Sequence, residues 1–358
     1  MVPSKKIFTL LLMLTPALLF AQQKLQNDEK DAVIEGIKAL IHSNYVFIDR
    51  VEYVNNALDS LHQTGKYDDV TDAKDFAKVL SDDLVAITKD KHFKVQYSPE
   101  LLKSRRERAK RQEEQQNTEE VEEEVIDWNE WYARQENFGF TKVEILDGNI
   151  GYMKLNFWHP LAWVESTIDA TMGFLTNTDA LIIDLRENQG GYSPTDTYLG
   201  SYFFDAQPKL WMSSYNRPTE ETSSDSTFQE LGGARYLDKP VYILVGEQTF
   251  SLAESFAYSM KHFGRAIIIG QTTPGAAHGI NFLAANDNFG VQVPVQYNIH
   301  PVTKTDWEGT GVRPDINTNP NEALKIAQLE ALDRLIDHAG RERIIERYHK
   351  IKKEIGRR

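Results

Sequence analysis

The chain has 358 residues, 41% of them apolar and 11% aromatic, enough to bury one large core or two modest ones. Its formal charge of −13 argues against a nucleic-acid partner, which needs a basic face. There is no cysteine, so disulfides, thiol nucleophiles, thiolate metal sites and lipidation on a cysteine are all excluded.

Residues 1–21 read as a separate object. Lys5 and Lys6 precede the apolar run Ile7 to Phe20, and Ala21 supplies a small residue before Gln22 and Gln23. This is the layout of a secretory signal cleaved near Ala21, which implies a periplasmic or secreted protein. The run is too short for a comfortable membrane span, so no stable span is expected after cleavage. Residues 22–100 follow as an N-terminal helical bundle. Asp28 to Val46 places Val33, Ile34, Ile37, Leu40 and Ile41 at helical spacing, and Val51 to His62 and Ala73 to Ile87 continue the style.

Residues 101–140 change composition sharply: Lys103 to Arg111 is mostly basic and Glu119 to Glu124 almost wholly acidic. The pattern suits a solvated, partly disordered helical excursion better than a partner-binding arm. From residue 141 to 320, apolar runs of strand length alternate with helical stretches. Asn149 to Leu155, Ala180 to Leu185, Val241 to Val245 and Ala266 to Ile269 are such runs, and Phe289 to Tyr297 adds an alternating strand. That order implies an α/β layer with parallel pairing. Ser213 to Asp238 reads as irregular, and residues 321–358 close the chain as charged helices interrupted near Gly340.

Four segments carry chemistry-bearing residues. The strand Val241 to Val245 runs through Thr249-Phe250 to Ser251, which opens a helix over Leu252 to Phe263. A serine there is either an N-cap or a nucleophile standing over the free N–H groups of the helix end. The strand Leu181 to Leu185 ends in Arg186-Glu187-Asn188-Gln189-Gly190-Gly191, where the double glycine permits a tight turn or a close backbone approach. His92, in Lys91-His92-Phe93, has the chemistry of a general base, as do the other eight histidines. Glu308, in Trp307-Glu308-Gly309-Thr310-Gly311, could orient a histidine or be a surface charge.

In this order the segments resemble the C-terminal processing (tail-specific) serine peptidases, particularly the branch with the tricorn protease core and the interphotoreceptor retinoid-binding protein repeats. Asn149 to Leu155, Asp184-Leu185-Arg186 with Gly190-Gly191, Thr249-Phe250-Ser251 with Glu254, Gly270 to Gly275 and Glu308 to Asp315 carry the likeness. The resemblance implies a ClpP/crotonase-like α/β core, with Ser251 as nucleophile and His92 as general base. It makes Glu308 the orienting acid, and gives the oxyanion hole to the Leu252 N–H and one from Gly190 or Gly191. A peptide or protein is then the substrate.

Two positions depart from the pattern. The base lysine of the tail-specific branch would fall near Ala276, where no lysine stands. The serine that links histidine to glutamate in the tricorn branch is here Lys91, leaving Glu308 to reach His92 directly, or Thr88 or Asp90 to stand in. The stretch between Phe93 and Asp147 is too short and charged for the PDZ domain common in that branch.

A non-catalytic protein holding an apolar ligand or peptide in the same cleft is the alternative, but it would need none of Ser251, His92 and Glu308. A crotonase-type enzyme acting on thioesters fits poorly with an export signal. No His-Glu-x-x-His spacing occurs, so neither a metal nor another cofactor is expected. Homo-oligomer formation is left open.

Overall fold

A computed structural model describes residues 24–115 and 128–357. The expected signal segment 1–21 and the acidic run Glu119 to Glu124 lie outside the described residues. In chain order the elements begin with α1 (Asn27–Asn44), α2 (Val51–Gln63), α3 (Ala73–Thr88), β1 (Lys94–Tyr97), α4 (Pro99–Gln115) and α5 (Trp128–Gln135). There follow β2 (Phe140–Leu146), β3 (Ile150–Leu155), α6 (Leu161–Leu175), β4 (Ala180–Asp184), α7 (Thr195–Ser201), β5 (Leu210–Asn216), β6 (Glu221–Ser226) and β7 (Val241–Val245). The chain continues with α8 (Leu252–His262), β8 (Ile267–Gly270), β9 (Gly279–Ala284), β10 (Phe289–Ile299), β11 (Ile316–Asn317), α9 (Pro320–His338) and α10 (Glu342–Arg357).

The central layer is a six-stranded sheet in the order β11-β8-β7-β4-β3-β2. All its pairings are parallel except the β2–β3 hairpin. Its middle strands are buried on both faces, which explains their unbroken apolar runs. Alternate residues divide between two cores. Leu181, Ile183, Val241 and Ile243 face α6 and α8, whereas Ala180, Ile182, Tyr242 and Leu244 meet α9. On α9 the small residues Ala323, Ala327 and Ala331 recur every four positions and are fully buried, so the helix lies close on the sheet.

A second sheet, β1-β10-β5-β6 with β9 also on β10, carries the N-terminal helices. Val33, Ile34, Ile37 and Ile41 of α1 and Phe76, Leu80 and Leu84 of α3 share one core with Phe289, Val291, Val293 and Val295 of β10. Each such side chain contributes roughly 1.5–3 kcal/mol on burial, so β10 completes a core that the helices alone would leave open.

The stretch Ser213 to Asp238, expected to be irregular, contains most of the β5–β6 hairpin. Its second strand, Glu-Thr-Ser-Ser-Asp-Ser, is largely exposed and lacks the apolar alternation that marks a strand. Hydroxyl pairs across the ladder, Ser213 with Ser224 at 3.0 Å and Ser214 with Ser223 at 3.2 Å, take its place. Much of the charged segment is helical. In α4 Leu102 is buried and Arg105 lies 4.8 Å over the Phe282 ring of β9.

Candidate active site

The C-terminal ends of β4 and β7 and the turn after α3 converge on one cleft of about 650 Å³, lined by His92, Gly191, Ser251, Leu252 and His278 among others. Open α/β sheets place ligands at this end of their strands. A larger concavity, about 1060 Å³, lies elsewhere beside Lys239, Arg265 and Arg334, and contains no serine.

Ser251 is delivered by a stiff connection. After β7, Gly246 N–H donates to Thr249 Oγ1 (2.9 Å), which donates to Leu185 O (2.8 Å), and Phe250 N–H donates to Asn188 O (2.9 Å). Ser251 then adopts φ 53°, ψ −117°, a conformation L-residues rarely take and that costs about 1–3 kcal/mol. The buried Glu254, in the first turn of α8, holds it there. Its carboxylate accepts from Ser251 N–H (3.0 Å), Thr273 Oγ1 (2.5 Å), Gly275 N–H (2.7 Å) and Ala276 N–H (3.0 Å). Four donors on one carboxylate clamp the start of α8 to the loop after β8.

The loop after β4 forms the facing wall. Asn188 is fully buried, donates to Leu155 O (3.0 Å) and accepts from Gly190 N–H (2.9 Å). A Cβ on Gly190 would stand 2.9 Å from Ser251 Cβ and 3.0 Å from Leu252 N, and one on Gly191 only 2.0 Å from Trp158 O, at a φ of +147°. Both glycines are therefore required by close approach. Since Asn188 takes the Gly190 N–H, the N–H of Gly191, which lines the cleft, is the one of the two left without a partner. Neither it nor Leu252 N–H has a partner among the described residues.

His92 reaches Ser251 from across the fold. Its Nε2 lies 3.2 Å from Ser251 Oγ, a contact between residues 159 positions apart. The placement starts with α3, which Asp72 caps by accepting from Lys74 N–H (2.8 Å) and Asp75 N–H (3.0 Å). The helix ends at Lys89 in the left-handed region, φ 64°. Beyond His92, Phe93 and Val95 enter the core shared with β10, and β1 pairs with β10 from Lys94↔Gln292 to Tyr97↔Phe289. Phe250 packs on the imidazole with ring centroids 5.0 Å apart.

The carboxylate beside His92 is that of Asp90, whose Oδ1 accepts from His92 N–H (2.9 Å) and lies 3.7 Å from His92 Nδ1. Its other oxygen bonds His278 Nδ1 at 2.5 Å. Glu308, expected next to His92, lies against His278 instead. Its Oε2 is 3.6 Å from His278 Nδ1 and accepts from Ala277 N–H at 2.6 Å. The tight turn after α3 puts the Asp90 carboxylate, and not Glu308, beside the His92 ring. Lys91 points away, its Nζ donating to Pro274 O (2.5 Å).

Charge in this group is unevenly distributed. Burial opposes ionisation of Asp90, but the bonds from His278 and His92 outweigh it and hold the carboxyl well below its usual range. Burial lowers the His278 value, and the Asp90 bond reverses this to leave it raised. Glu308 is pushed up to about 7, by burial first and then by repulsion from Asp90. Asp90, His278 and Glu308 each offer an atom within 4.8 Å of the others. In this structure Asp90 and His278 are joined by a hydrogen bond, with Glu308 beside them.

The raised Glu308 value has a consequence for stability. With a folded value near 7 against 4.5 for the free group, the native state retains a proton that the unfolded chain releases in between. Native stability contributed by Glu308 is therefore present below pH 4.5 and lost as pH rises through 7. Glu308→Gln should match the parent near pH 4.5 and exceed it at pH 8, by an amount on the order of 1–3 kcal/mol. Urea unfolding at the two pH values reads this directly, and equal stability at pH 8 would refute it.

Comparison with known proteins places the chain in a family. Residues 149–318 match the model described as peptidase family S41, and residues 24–146 match the N-terminal domain of the same family in eukaryotic IRBP. The chain is 27% identical over 168 residues to carboxyl-terminal-processing peptidase 2, chloroplastic, of Arabidopsis thaliana, covering 46% of this chain and 31% of that protein. It is 30% identical over 148 residues to the tail-specific protease of Haemophilus influenzae, covering 39% of this chain and 20% of that protein. The chain thus spans under a third of the length of these two relatives. Among solved structures, a Parabacteroides merdae protein matches with TM-score 0.52 and 15% identity over 81% of this chain and 90% of that one. A lipoprotein from Streptococcus agalactiae matches with TM-score 0.52 and 13% identity over 87% and 98%. These two likenesses concern the fold alone.

Proposed function

Because the chain belongs to peptidase family S41, we propose that it is an exported serine peptidase that cleaves peptide bonds through an acyl-enzyme on Ser251. The contact of His92 Nε2 with Ser251 Oγ at 3.2 Å, inside a cleft beside unpartnered backbone N–H groups, carries the reading. His92 takes the hydroxyl proton as Oγ attacks the carbonyl carbon. The oxyanion is held by the N–H groups of Leu252 and Gly191, the first reinforced by the positive end of α8. The proton then passes from His92 to the leaving amine as the C–N bond breaks. Water, deprotonated by His92, next attacks the acyl carbon, and His92 returns that proton to Ser251 Oγ as the ester C–O bond breaks. Side chains, backbone and water account for every step. Export rests on the leader at residues 1–21, and the substrate is a peptide or protein.

A protein that only held an apolar ligand would gain nothing from a strained serine clamped against a histidine. Purified protein treated with a fluorophosphonate probe should carry one adduct, on the peptide containing Ser251. An adduct on another serine, or none with the protein folded, would overturn the assignment.

A further inference from the structure

His92 Nδ1 is buried and has no hydrogen-bond partner among the described residues. A general base with a free second nitrogen is poorly fixed, in tautomer and in ring angle, so some group must hold it when it becomes an imidazolium. The Asp90 carboxylate lies beside it, with Oδ1 3.7 Å from Nδ1. Asp90 itself cannot drift. Its N–H donates to Thr88 Oγ1 (3.1 Å), its Oδ1 accepts from the His92 N–H, and its Oδ2 is tied to His278. His278 is in turn pressed by the Phe47 ring (centroids 5.1 Å) and faces Glu308 at 3.6 Å.

We infer that Asp90 and His278 together form the positioning unit of the base, in the order Ser251–His92–Asp90–His278–Glu308. Asp90 orients His92, and His278 holds Asp90 and partly neutralises it. Glu308 acts only at the far end, through His278. This rests on the reading of Ser251 and His92 as nucleophile and base, and replaces a single orienting acid by a carboxylate shared between two imidazoles.

The arrangement predicts opposite electrostatic responses. The other ionisable groups facing this unit are Tyr45, whose hydroxyl is held up by burial and by Asp90, Asp306 on the Glu308 loop, and the buried Glu254 behind Ala276. All three remain in place when Asp90 or His278 is changed. Asp90→Asn removes the negative charge that favours the His92 imidazolium. The ascending limb of the pH–rate profile should therefore move to lower pH, with kcat down on the order of 10² to 10⁴ and KM little changed. His278→Gln keeps a donor to Asp90 and removes the imidazole whose charged form Asp90 favours, so the limb should move to higher pH, with a loss on the order of 10-fold. Glu308→Gln should cost only a few-fold.

Two readouts on the full-length chain decide this. One is the pH dependence of fluorophosphonate labelling at Ser251, and the other is the nitrogen-15 titration of the His92 ring, which needs no activity. Opposite shifts in the two variants support the unit. Shifts of the same sign, or labelling by Asp90→Asn within threefold of the parent, overturn it. If no probe attaches to Ser251 in the parent, the peptidase reading fails, while the ring titration still tests the positioning unit.

Discussion

Ser251→Ala is expected to abolish hydrolysis, with a fall on the order of 10⁴ to 10⁶ in kcat, the range for loss of a serine nucleophile. The fold should survive. Ser251 Oγ contacts His92, while it is the Ser251 backbone N–H that Glu254 holds, and alanine keeps that bond. A cap role would instead predict a stability loss of about 1 kcal/mol and unchanged turnover. Ser251→Gly sharpens the contrast. Glycine adopts a positive φ without penalty, so this variant should be inactive yet more stable than Ser251→Ala by about 1 kcal/mol. Urea midpoints and turnover, measured on the same preparations, separate the two roles. A folded, active alanine variant would end the proposal.

His92→Ala should cost nearly as much, because without the base the hydroxyl keeps its proton. The two groups act as one, so Ser251→Ala combined with His92→Ala should be no worse than either alone. Controls lie close by. Lys91, the neighbour in sequence, is anchored to Pro274 O, and its replacement by alanine should leave turnover within a few-fold. His300 is fully buried against Phe263, ring centroids 4.8 Å apart, and burial first, then His262, lowers its value to about 4. It packs as a neutral aromatic, so its loss should register as lowered stability and not as lost chemistry. Steady-state kinetics over the neutral range would show this. Full activity in His92→Ala would send the search for a base elsewhere.

The strands of the central sheet were legible because burial on both faces demands unbroken apolar runs, as in Ala180–Asp184 and Val241–Val245. The helix after Ser251 was legible too, since an apolar strand followed by a polar turn and a new helical period is a local signal. The β5–β6 hairpin was not, because serine and threonine on an exposed ladder leave no hydrophobic alternation to read. Nor was the Asp90–His278 pair. Its members are 188 residues apart, neither sits in a recognisable spacing, and only folding reveals that the loop after β8 returns to the turn after α3. Whether Glu308 reaches His92 directly was likewise open in the sequence, and in the fold its carboxylate lies 3.6 Å from His278 Nδ1.

The shared strand β10 has a temporal consequence. His92 is fixed by β1, which has no sheet until β10 arrives, and β10 is made some two hundred residues later. On the proposed reading, the serine at the start of α8 has no base until Phe289 to Ile299 has paired with β1. The proposed site is therefore completed only once this long-range pairing forms.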